Sequence, residues 1–185
     1  MRKLIYSMSV SLDGFINDPG GEIDWSVPDE ELHRFHNERV REIGLQLLGR
    51  RLYETMLYWE TVDQNPDAGE VELEFAAIWQ RLPRLVFSKT LEEVEGNATL
   101  AREVDAKQIA QLKQEPGKDI AVGGAGLAAT FIERGLVDEY QLFVNPVVLG
   151  AGTPFFPSLE QRIDLELIDT RTFASRITYL RFGRP

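Results

Sequence analysis

The chain has no cysteine among its 185 residues. This absence excludes disulfide bonds, thiol nucleophiles and zinc sites built on cysteine. The sequence also lacks an apolar run of membrane length. Its first residues, 1–6, pass directly into a strand-like pattern without the apolar region and cleavage site of a signal peptide. We therefore expect a cytoplasmic protein that does not use the membrane as a partner.

Positive charge is scarce, with 20 lysines and arginines against 30 acidic residues and a net charge of −10. A nucleic-acid-binding surface needs a basic face, so we do not expect nucleic acid as a partner. An anionic cofactor would need a local basic pocket within this acidic protein. The sequence shows no internal repeat, low-complexity tract or linker, and 43% of its residues are hydrophobic. We expect one globular domain over residues 1–185.

Apolar runs that predict strands alternate with helical patterns along most of the chain. The predicted strands are 3–10, 45–48, 84–87, 99–104, 120–122, 140–149, 165–172 and 176–182. The predicted helices are 28–42, one that begins at Gly49-Arg50, 71–82, 105–114 and one that ends at Arg134-Gly135. This order predicts an α/β fold with three layers: helices cover both faces of a mixed, mostly parallel sheet that ends in an antiparallel hairpin.

The most informative segment is Ala121-Val-Gly-Gly-Ala-Gly-Leu127, in which an apolar run breaks into three glycines before a helical pattern resumes. Glycine permits close backbone approach, and the first N–H groups of a helix are free to bind an anion such as phosphate. The residues from Gly124 to Ala129 also fit a Rossmann-type G-x-G-x-x-A motif. That motif needs an acidic residue at the end of the next strand. Asp138 and Glu139 instead stand at the beginning of the next predicted strand, which argues against a Rossmann fold. A packing turn without a ligand remains the alternative.

Two further junctions resemble this one. Gly49 precedes a predicted helix whose first residues are Arg50 and Arg51, and guanidinium groups suit bidentate phosphate contacts. Ser88-Lys89-Thr90 leaves a strand with two hydroxyls and a cation. Each feature alone is also typical of surface charge or an ordinary turn. Together, at the ends of parallel strands, they predict a phosphate-rich ligand along one edge of the sheet.

The order of several motifs resembles the dihydrofolate reductase superfamily, and within it the reductase domain of the bifunctional riboflavin-biosynthesis deaminase/reductase and its free-standing relatives. The resemblance covers nearly the whole chain. The motifs that carry it are Ser9–Ile16, Gly49–Glu54, Leu85–Leu91, Val122–Leu127, Leu136–Tyr140 and Pro146–Phe156.

The resemblance implies an NADPH-dependent reductase that is commonly a homodimer. It places Gly49, Arg50 and Arg51 at the adenosine 2′-phosphate and pyrophosphate. It also implies further cofactor positions: Ser88 and Lys89 at the adenosine end, Gly123, Gly124, Ala125, Gly126 and Leu127 around the pyrophosphate, and Met8, Ser9, Gly14 and Ile16 near the nicotinamide. The substrate positions that we assign on the same basis are Ser11, Asp13, Trp25, Pro146 and Gly150.

Two carboxylates are candidates for catalysis. Asp13 ends the first strand beside a glycine and is our first candidate for a proton relay, although an Asp-Gly turn is typical in any case. Folate-reducing relatives use a helix carboxylate after Trp-x-x-Pro, and here Trp25-Ser-Val-Pro28 precedes three acids. We favour Glu31 among them, although first-turn acids commonly only stabilise the helix dipole.

Other chemistry receives less support. The riboflavin enzyme usually carries a zinc deaminase domain whose signature includes cysteines, and this sequence has none. His33 and His36 stand three apart beside acids, but we expect them on a solvated helix face and predict no metal site. Trp25, Trp59 and Trp79 could stack on a flat heterocycle, although buried packing is their usual role.

The sequence therefore predicts an NADPH-dependent reductase that resembles 5-amino-6-(5-phosphoribosylamino)uracil reductase and transfers hydride to a small pyrimidine- or pterin-like acceptor. Two alternatives remain open. One is a folate-type or general carbonyl/imine reductase, and the other is a nucleotide-binding dimer without catalysis.

Overall fold

The computed structural model describes residues 1–185, in which strands alternate with helices until a final antiparallel pair. The strands are β1 (Leu4–Ser11), β2 (Phe15–Asn17), β3 (Ile43–Gly49), β4 (Arg84–Phe87), β5 (Ala98–Ala101), β6 (Asp119–Gly123), β7 (Glu139–Asn145), β8 (Thr153–Pro154), β9 (Glu166–Thr172) and β10 (Thr178–Gly183). The helices are α1 (Glu30–Arg41), α2 (Arg50–Met56), α3 (Glu70–Arg81), α4 (Ala106–Gln114) and α5 (Ala125–Glu133).

Eight strands form one sheet in the order β5-β4-β3-β6-β1-β7-β10-β9. The first six are parallel, and the β9–β10 hairpin continues the sheet antiparallel to β7. The predicted mixed, mostly parallel sheet with a C-terminal hairpin is therefore confirmed. In such a sheet the carboxyl ends of all six parallel strands lie along one edge.

Side chains that alternate along β3 pack into two separate hydrophobic cores, one on each face of the sheet. Leu47 packs with α4 and α5 on one face, whereas Leu48 packs with α2 and α3 on the other. Successive strand residues point to opposite faces, so a strand buried on both sides reads as a continuous apolar run. The sheet is consequently the middle of three layers, with α1, α2 and α3 on the face that carries the cavity described below.

Local capping chemistry explains where several helices begin and end. Asp29 and Asp105 are N-cap residues whose carboxylates accept hydrogen bonds from Leu32 N and Lys107 N at 2.8 Å each. Gly135 follows α5 with a positive φ of 67°, as expected for a glycine just past a helix end. The predicted helix over 105–114 therefore starts at its Asp105 cap, and the predicted helix end at Arg134-Gly135 is confirmed.

The largest difference from the predicted elements follows β7. The predicted strand 140–149 ends at Asn145, and residues 146–152 form a loop in which Gly150 and Gly152 have positive φ. This loop leads into β8, which pairs with β2, and neither of these short strands was predicted. A Cβ at Gly152 would overlap the carbonyl oxygen of Asn17, so glycine is required there. Strands of two or three residues carry too little periodicity to be detected.

No helix in the structure combines the length and the apolar character that crossing a membrane requires.

Candidate functional site

The three predicted junctions lie side by side at the carboxyl edge of the sheet. Gly49, at the end of β3, is the Cα partner of Phe87 at the end of β4. On the other side of β3, Leu48 is the Cα partner of Gly123 at the end of β6. The backbone therefore brings the segments at 49–51, 88–90 and 123–127 together, although they are far apart in sequence.

The glycines of the β6–α5 junction have different structural roles. A Cβ at Gly123 would lie 2.5 Å from Leu52 Cδ2, so the Leu52 side chain of α2 packs directly against this glycine. Gly124 has a φ of +91° and offers no side chain to cap the first N–H groups of α5. A Cβ at Gly126 would meet nothing within 4 Å. Within one turn, Gly123 thus lies against Leu52, while the first N–H groups of α5 have no side-chain cap.

Four cationic side chains follow the ends of β3, β4 and β5. Arg51 and Lys89 are exposed, whereas Arg50 donates to Glu54 Oε1 and Thr90 Oγ1 at 2.7 Å each. Arg102, which sequence reasoning missed, donates to the carbonyl oxygens of Ser88 and Leu91 at 3.0 and 2.6 Å. Arg102 lies just after a strand without a glycine or a helix start, so no motif marks it. Together these residues place four cationic side chains at this edge, of which Arg50 is paired with Glu54.

The Ser88 hydroxyl is engaged by its own turn. Ser88 Oγ accepts hydrogen bonds from Thr90 N at 3.2 Å and from Leu91 N at 3.0 Å. Only 7% of Ser88 is exposed. Its side chain therefore shapes the loop that presents Lys89, and it has little surface for a ligand.

Asp13 joins two predicted substrate segments through hydrogen bonds. Its carboxylate accepts from Ser11 Oγ at 2.7 Å, from Gly150 N at 2.7 Å and from Leu149 N at 3.1 Å. The Ser11 hydrogen bond, followed by the two backbone donors, holds the pKa of Asp13 below its usual range. Asp13 is thus ionised near neutral pH and ties the loop after β1 to the loop after β7. Gly14 lies in the first loop, and Pro146 lies exposed in the second.

A cavity of about 820 Å³ opens on the sheet face that carries α1, α2 and α3. Its floor consists of residues that alternate along β1, namely Ile5, Ser7 and Ser9. Their Cα partners in β7 are Glu139, Gln141 and Phe143. Small serine side chains at these positions leave space between the sheet and the helices. The cavity is therefore a consequence of side-chain size on one face of a central strand.

The histidines of α1 form a wall of this cavity, which corrects the expectation of a solvated helix face. His33 lies near the rings of Trp59 and Phe75, at centroid distances of 5.8 and 5.9 Å. His36 lies 4.3 Å from the Phe143 ring. Burial lowers the pKa of His33 and, with a further contribution from His33, lowers the pKa of His36 to about 4. Both imidazoles are mainly neutral at pH 7.

Arg39 contributes a cation to the cavity and was not predicted as a site residue. Three other arginines are not exposed, and all have partners: Arg2 binds Lys118 O, Arg84 pairs with Glu60, and Arg181 pairs with Glu139. Arg39 Nε is buried and has no hydrogen-bond partner. Arg39 is the one arginine or lysine in a lining that also carries the carboxylates of Asp29, Glu30, Glu70 and Glu72. It is therefore the cavity group available to the negative charge of a ligand.

Glu31 and Trp25 lie outside the lining of the cavity. The Glu31 carboxylate accepts from Ala174 N at 3.2 Å and from Arg171 Nη2 at 2.8 Å, and both interactions hold its pKa below the usual range. It thus joins α1 to the β9–β10 turn. The acids that α1 and its cap present to the cavity are Asp29 and Glu30. A one-residue change of register on a helix rotates a side chain by about 100°, which sequence alone could not resolve here.

The cavity adjoins the glycine edge, which is the carboxyl edge of the sheet with the segments 49–51, 88–90 and 123–127. Leu52 lines the cavity, and its side chain lies against Gly123 and Gly124. Met8 and Ser9 line the cavity from β1. The three segments themselves do not line the cavity, so Leu52 is the contact between the two regions. The fold thus brings the residues predicted for phosphate binding, at 49–51, 88–90 and 123–127, to this edge, and it brings Met8 and Ser9 to the cavity. Asp13 joins two loops, and Glu31 joins α1 to the β9–β10 turn.

Comparison with known proteins agrees with this architecture. The sequence model of the RibD C-terminal domain matches residues 2–179 of the chain. The uncharacterized protein YyaP of Bacillus subtilis (strain 168) is 36% identical over 180 residues, which cover 97% of this chain and 93% of that protein.

Solved structures share the fold. A putative riboflavin biosynthesis protein from Shewanella sp. PV-4 superposes with a TM-score of 0.77 at 23% identity, covering 100% of this chain and 99% of the other. A deaminase/5-amino-6-(5-phosphoribosylamino)uracil reductase from Thermotoga maritima gives 0.66 at 16% identity, and this chain spans 57% of it. Dihydrofolate reductase from Enterococcus faecalis, complexed with NADP(H), gives 0.62 at 18% identity over 98% of this chain and 96% of the other. The resemblance stated from the sequence motifs is confirmed.

Proposed function

The chain belongs to the RibD C-terminal domain family, and from that premise we propose that it is an NADPH-dependent reductase of a small pyrimidine- or pterin-like acceptor. The observation that carries the proposal is the contact between the glycine edge and the cavity at Leu52. An edge suited to phosphate therefore lies next to a cavity suited to a flat ring. Hydride transfer requires this adjacency, because cofactor and acceptor must be in contact.

The residues at the edge fit the cofactor. Open space over Gly126 and the uncapped start of α5 suit a pyrophosphate. Arg50, Arg51 and Lys89 suit the additional 2′-phosphate that distinguishes NADPH from NADH. When bound, NADPH supplies the hydride. The role of the protein is to hold the acceptor over β1 between aromatic walls and to exclude water from it.

The residues in the cavity fit the acceptor. Trp59, Phe75 and Phe143 offer ring faces, and the floor offers the hydroxyl and amide groups of Ser7, Ser9 and Gln141. Arg39 supports an acceptor that carries negative charge, such as the phosphate of 5-amino-6-(5-phosphoribosylamino)uracil. That pyrimidine is therefore the first acceptor to test, and dihydrofolate is the second.

The test measures loss of NADPH absorbance after each acceptor is added to purified protein, with acceptor-free samples as the control. Turnover with either acceptor is the expected result. NADPH binding without turnover across the pyrimidine, folate and simple carbonyl or imine acceptors would contradict the reductase and favour a nucleotide-binding module.

We include a homodimer in the proposal. The edge strand β9 is exposed along its whole length, and Leu167 and Ile168 on it are 55% and 47% exposed. An unprotected edge with apolar side chains is typical of a surface that pairs with another chain. Sedimentation equilibrium is expected to give twice the chain mass, and a monomer at every protein concentration would contradict this part of the proposal.

A further inference from the structure

We propose that Gln141 determines specificity in the cavity by selecting an acceptor whose ring presents an N–H or amino group. This inference rests on the proposed reductase function and names the hydrogen-bonding edge of its acceptor. Gln141 lies on β7 in the floor of the cavity, and only 3% of its surface is exposed.

The orientation of the Gln141 amide is fixed by its hydrogen bond to a carboxylate. Gln141 Nε2 donates to Glu139 Oε1 at 2.7 Å. An ionised carboxylate only accepts hydrogen bonds, so a flipped amide would place two acceptor oxygens against each other. The amide nitrogen therefore faces Glu139, and the carbonyl oxygen Oε1 is left for the cavity.

Glu139 is held firmly enough to enforce this orientation. Arg181 donates to its two oxygens at 2.7 and 3.0 Å, and Lys3 Nζ lies 3.1 Å from Oε2. Burial raises the pKa of Glu139, but the hydrogen bonds from Arg181, Gln141 and Lys3 outweigh burial and hold the pKa below its usual range. The carboxyl group is thus ionised and cannot become a donor toward Gln141.

The carbonyl oxygen of Gln141 lacks a donor within the protein, since its amide nitrogen makes the one hydrogen bond of this side chain. Ser7 is the Cα partner of Gln141 in β1, and it lines the same floor. The floor therefore offers a fixed acceptor beside a hydroxyl that can donate or accept. A ring with N–H beside a carbonyl or ring nitrogen complements this pair, whereas an apolar ring would leave Oε1 unsatisfied.

Gln46 provides an internal comparison. It also lines the cavity, from β3, but its side chain has no carboxylate partner that fixes its amide. A free amide can present either its oxygen or its nitrogen to a ligand. We therefore assign donor selectivity to Gln141 and not to Gln46.

The experiment uses 2-aminopteridine and 2-methylpteridine, two rings of nearly equal shape of which only the first carries an N–H donor. Calorimetry on the wild-type protein, Gln141→Met and Gln46→Met gives the affinity for each ring without cofactor. We expect the wild-type protein and Gln46→Met to prefer 2-aminopteridine by about tenfold or more. Gln141→Met is expected to lose that preference while it retains affinity for the methyl analogue.

A wild-type protein that binds both rings equally, or neither, would overturn the proposal. So would a preference that survives in Gln141→Met. Circular dichroism melting checks that each variant folds, and Gln141→Leu is a second variant if the methionine is not tolerated. A separate NADPH titration identifies a failure of the reductase proposal, because the ring preference is measured without cofactor.

Discussion

The glycine edge and the cavity are built from the same parallel strands, yet they differ in how the sequence encodes them. Each junction of the edge consists of consecutive residues, such as Gly49-Arg50-Arg51, so it can be recognised as a short motif in the sequence. The cavity is lined by residues that alternate on β1 and lie a turn apart on α1. Its lining residues come from many separate segments of the chain. A site made of consecutive residues can be found as a motif, whereas a site made of residues from many segments can be recognised only in the folded structure.

The strongest test of this contrast removes the charge of the edge and leaves the cavity intact. The double variant Arg50→Ala/Arg51→Ala is expected to bind NADPH about 100-fold more weakly, because charge-assisted hydrogen bonds to phosphate are lost. NADH affinity is expected to fall much less, since NADH lacks the 2′-phosphate, and acceptor affinity is expected to remain unchanged. Calorimetric titration gives all three values, and Arg81→Ala is the control for loss of an exposed arginine. Equal losses for NADPH and NADH would remove the 2′-phosphate role of these arginines.

A second test separates packing from ligand contact within the glycine edge. Gly123→Ala is expected to destabilise the fold by about 1 kcal/mol, at the low end of overpacking costs, because only the Leu52 side chain must move to clear a Cβ that would lie 2.5 Å from its Cδ2. Gly126→Ala is the matched control, since a Cβ there meets nothing within 4 Å and alanine favours a helix. Urea unfolding measures the stability of both variants. Equal stability would show that α2 does not constrain the strand end. Unchanged NADPH affinity in Gly126→Ala would argue against a ligand over this turn.

A third test uses pH to probe the cavity wall. Burial lowers the pKa of His36 from 6.5 to about 4, so the unfolded chain binds more protons between these values. Stability is therefore complete above pH 6.5 and falls as the pH decreases toward 4, by up to about 1.4 kcal/mol per pH unit. His36→Gln is expected to flatten this dependence in unfolding measurements across the window. An unchanged slope in the variant would mean that the imidazole is not held neutral by the fold.

The smallest expected effect concerns Glu54, which pairs with Arg50 at 2.7 Å on the exposed edge. A cofactor phosphate must compete with this carboxylate for Arg50. Glu54→Gln is therefore expected to tighten NADPH binding about two- to fivefold, in keeping with the modest strength of exposed ion pairs. Glu92→Gln is the control for loss of a nearby exposed negative charge. An equal gain in NADPH affinity in both variants would mean that the effect comes from net charge and not from the Arg50–Glu54 pair.

Much of the fold could be predicted from the sequence because its central strands are buried on both faces and separated by amphipathic helices. The predicted mixed, mostly parallel sheet and the final hairpin are confirmed. The β2–β8 pair was missed because three and two residues carry no periodicity. The loop after Asn145 was missed because its apolar residues continue the pattern of β7.

The site was less predictable for a geometric reason. Which of Asp29, Glu30 and Glu31 faces the cavity depends on the rotation of α1, and Arg171 draws Glu31 toward the hairpin instead. His33, His36 and Arg39 fit a solvated face as well as a buried one in the sequence. The small residues of β1 leave space beneath this face of α1, and only they favour a cavity wall over a solvated helix face. The signal that could have revealed the cavity is Ser7 and Ser9 within an otherwise apolar central strand.

The central claim is that the glycine edge holds NADPH beside the cavity, and titration with NADPH and, separately, with NADH tests it most directly. Trp59 lines the cavity, so tryptophan quenching together with calorimetry reports binding next to it. We predict saturable binding with NADPH clearly tighter than NADH. Failure of both nucleotides to bind would mean that the glycine turn serves packing alone, and it would contradict the reductase.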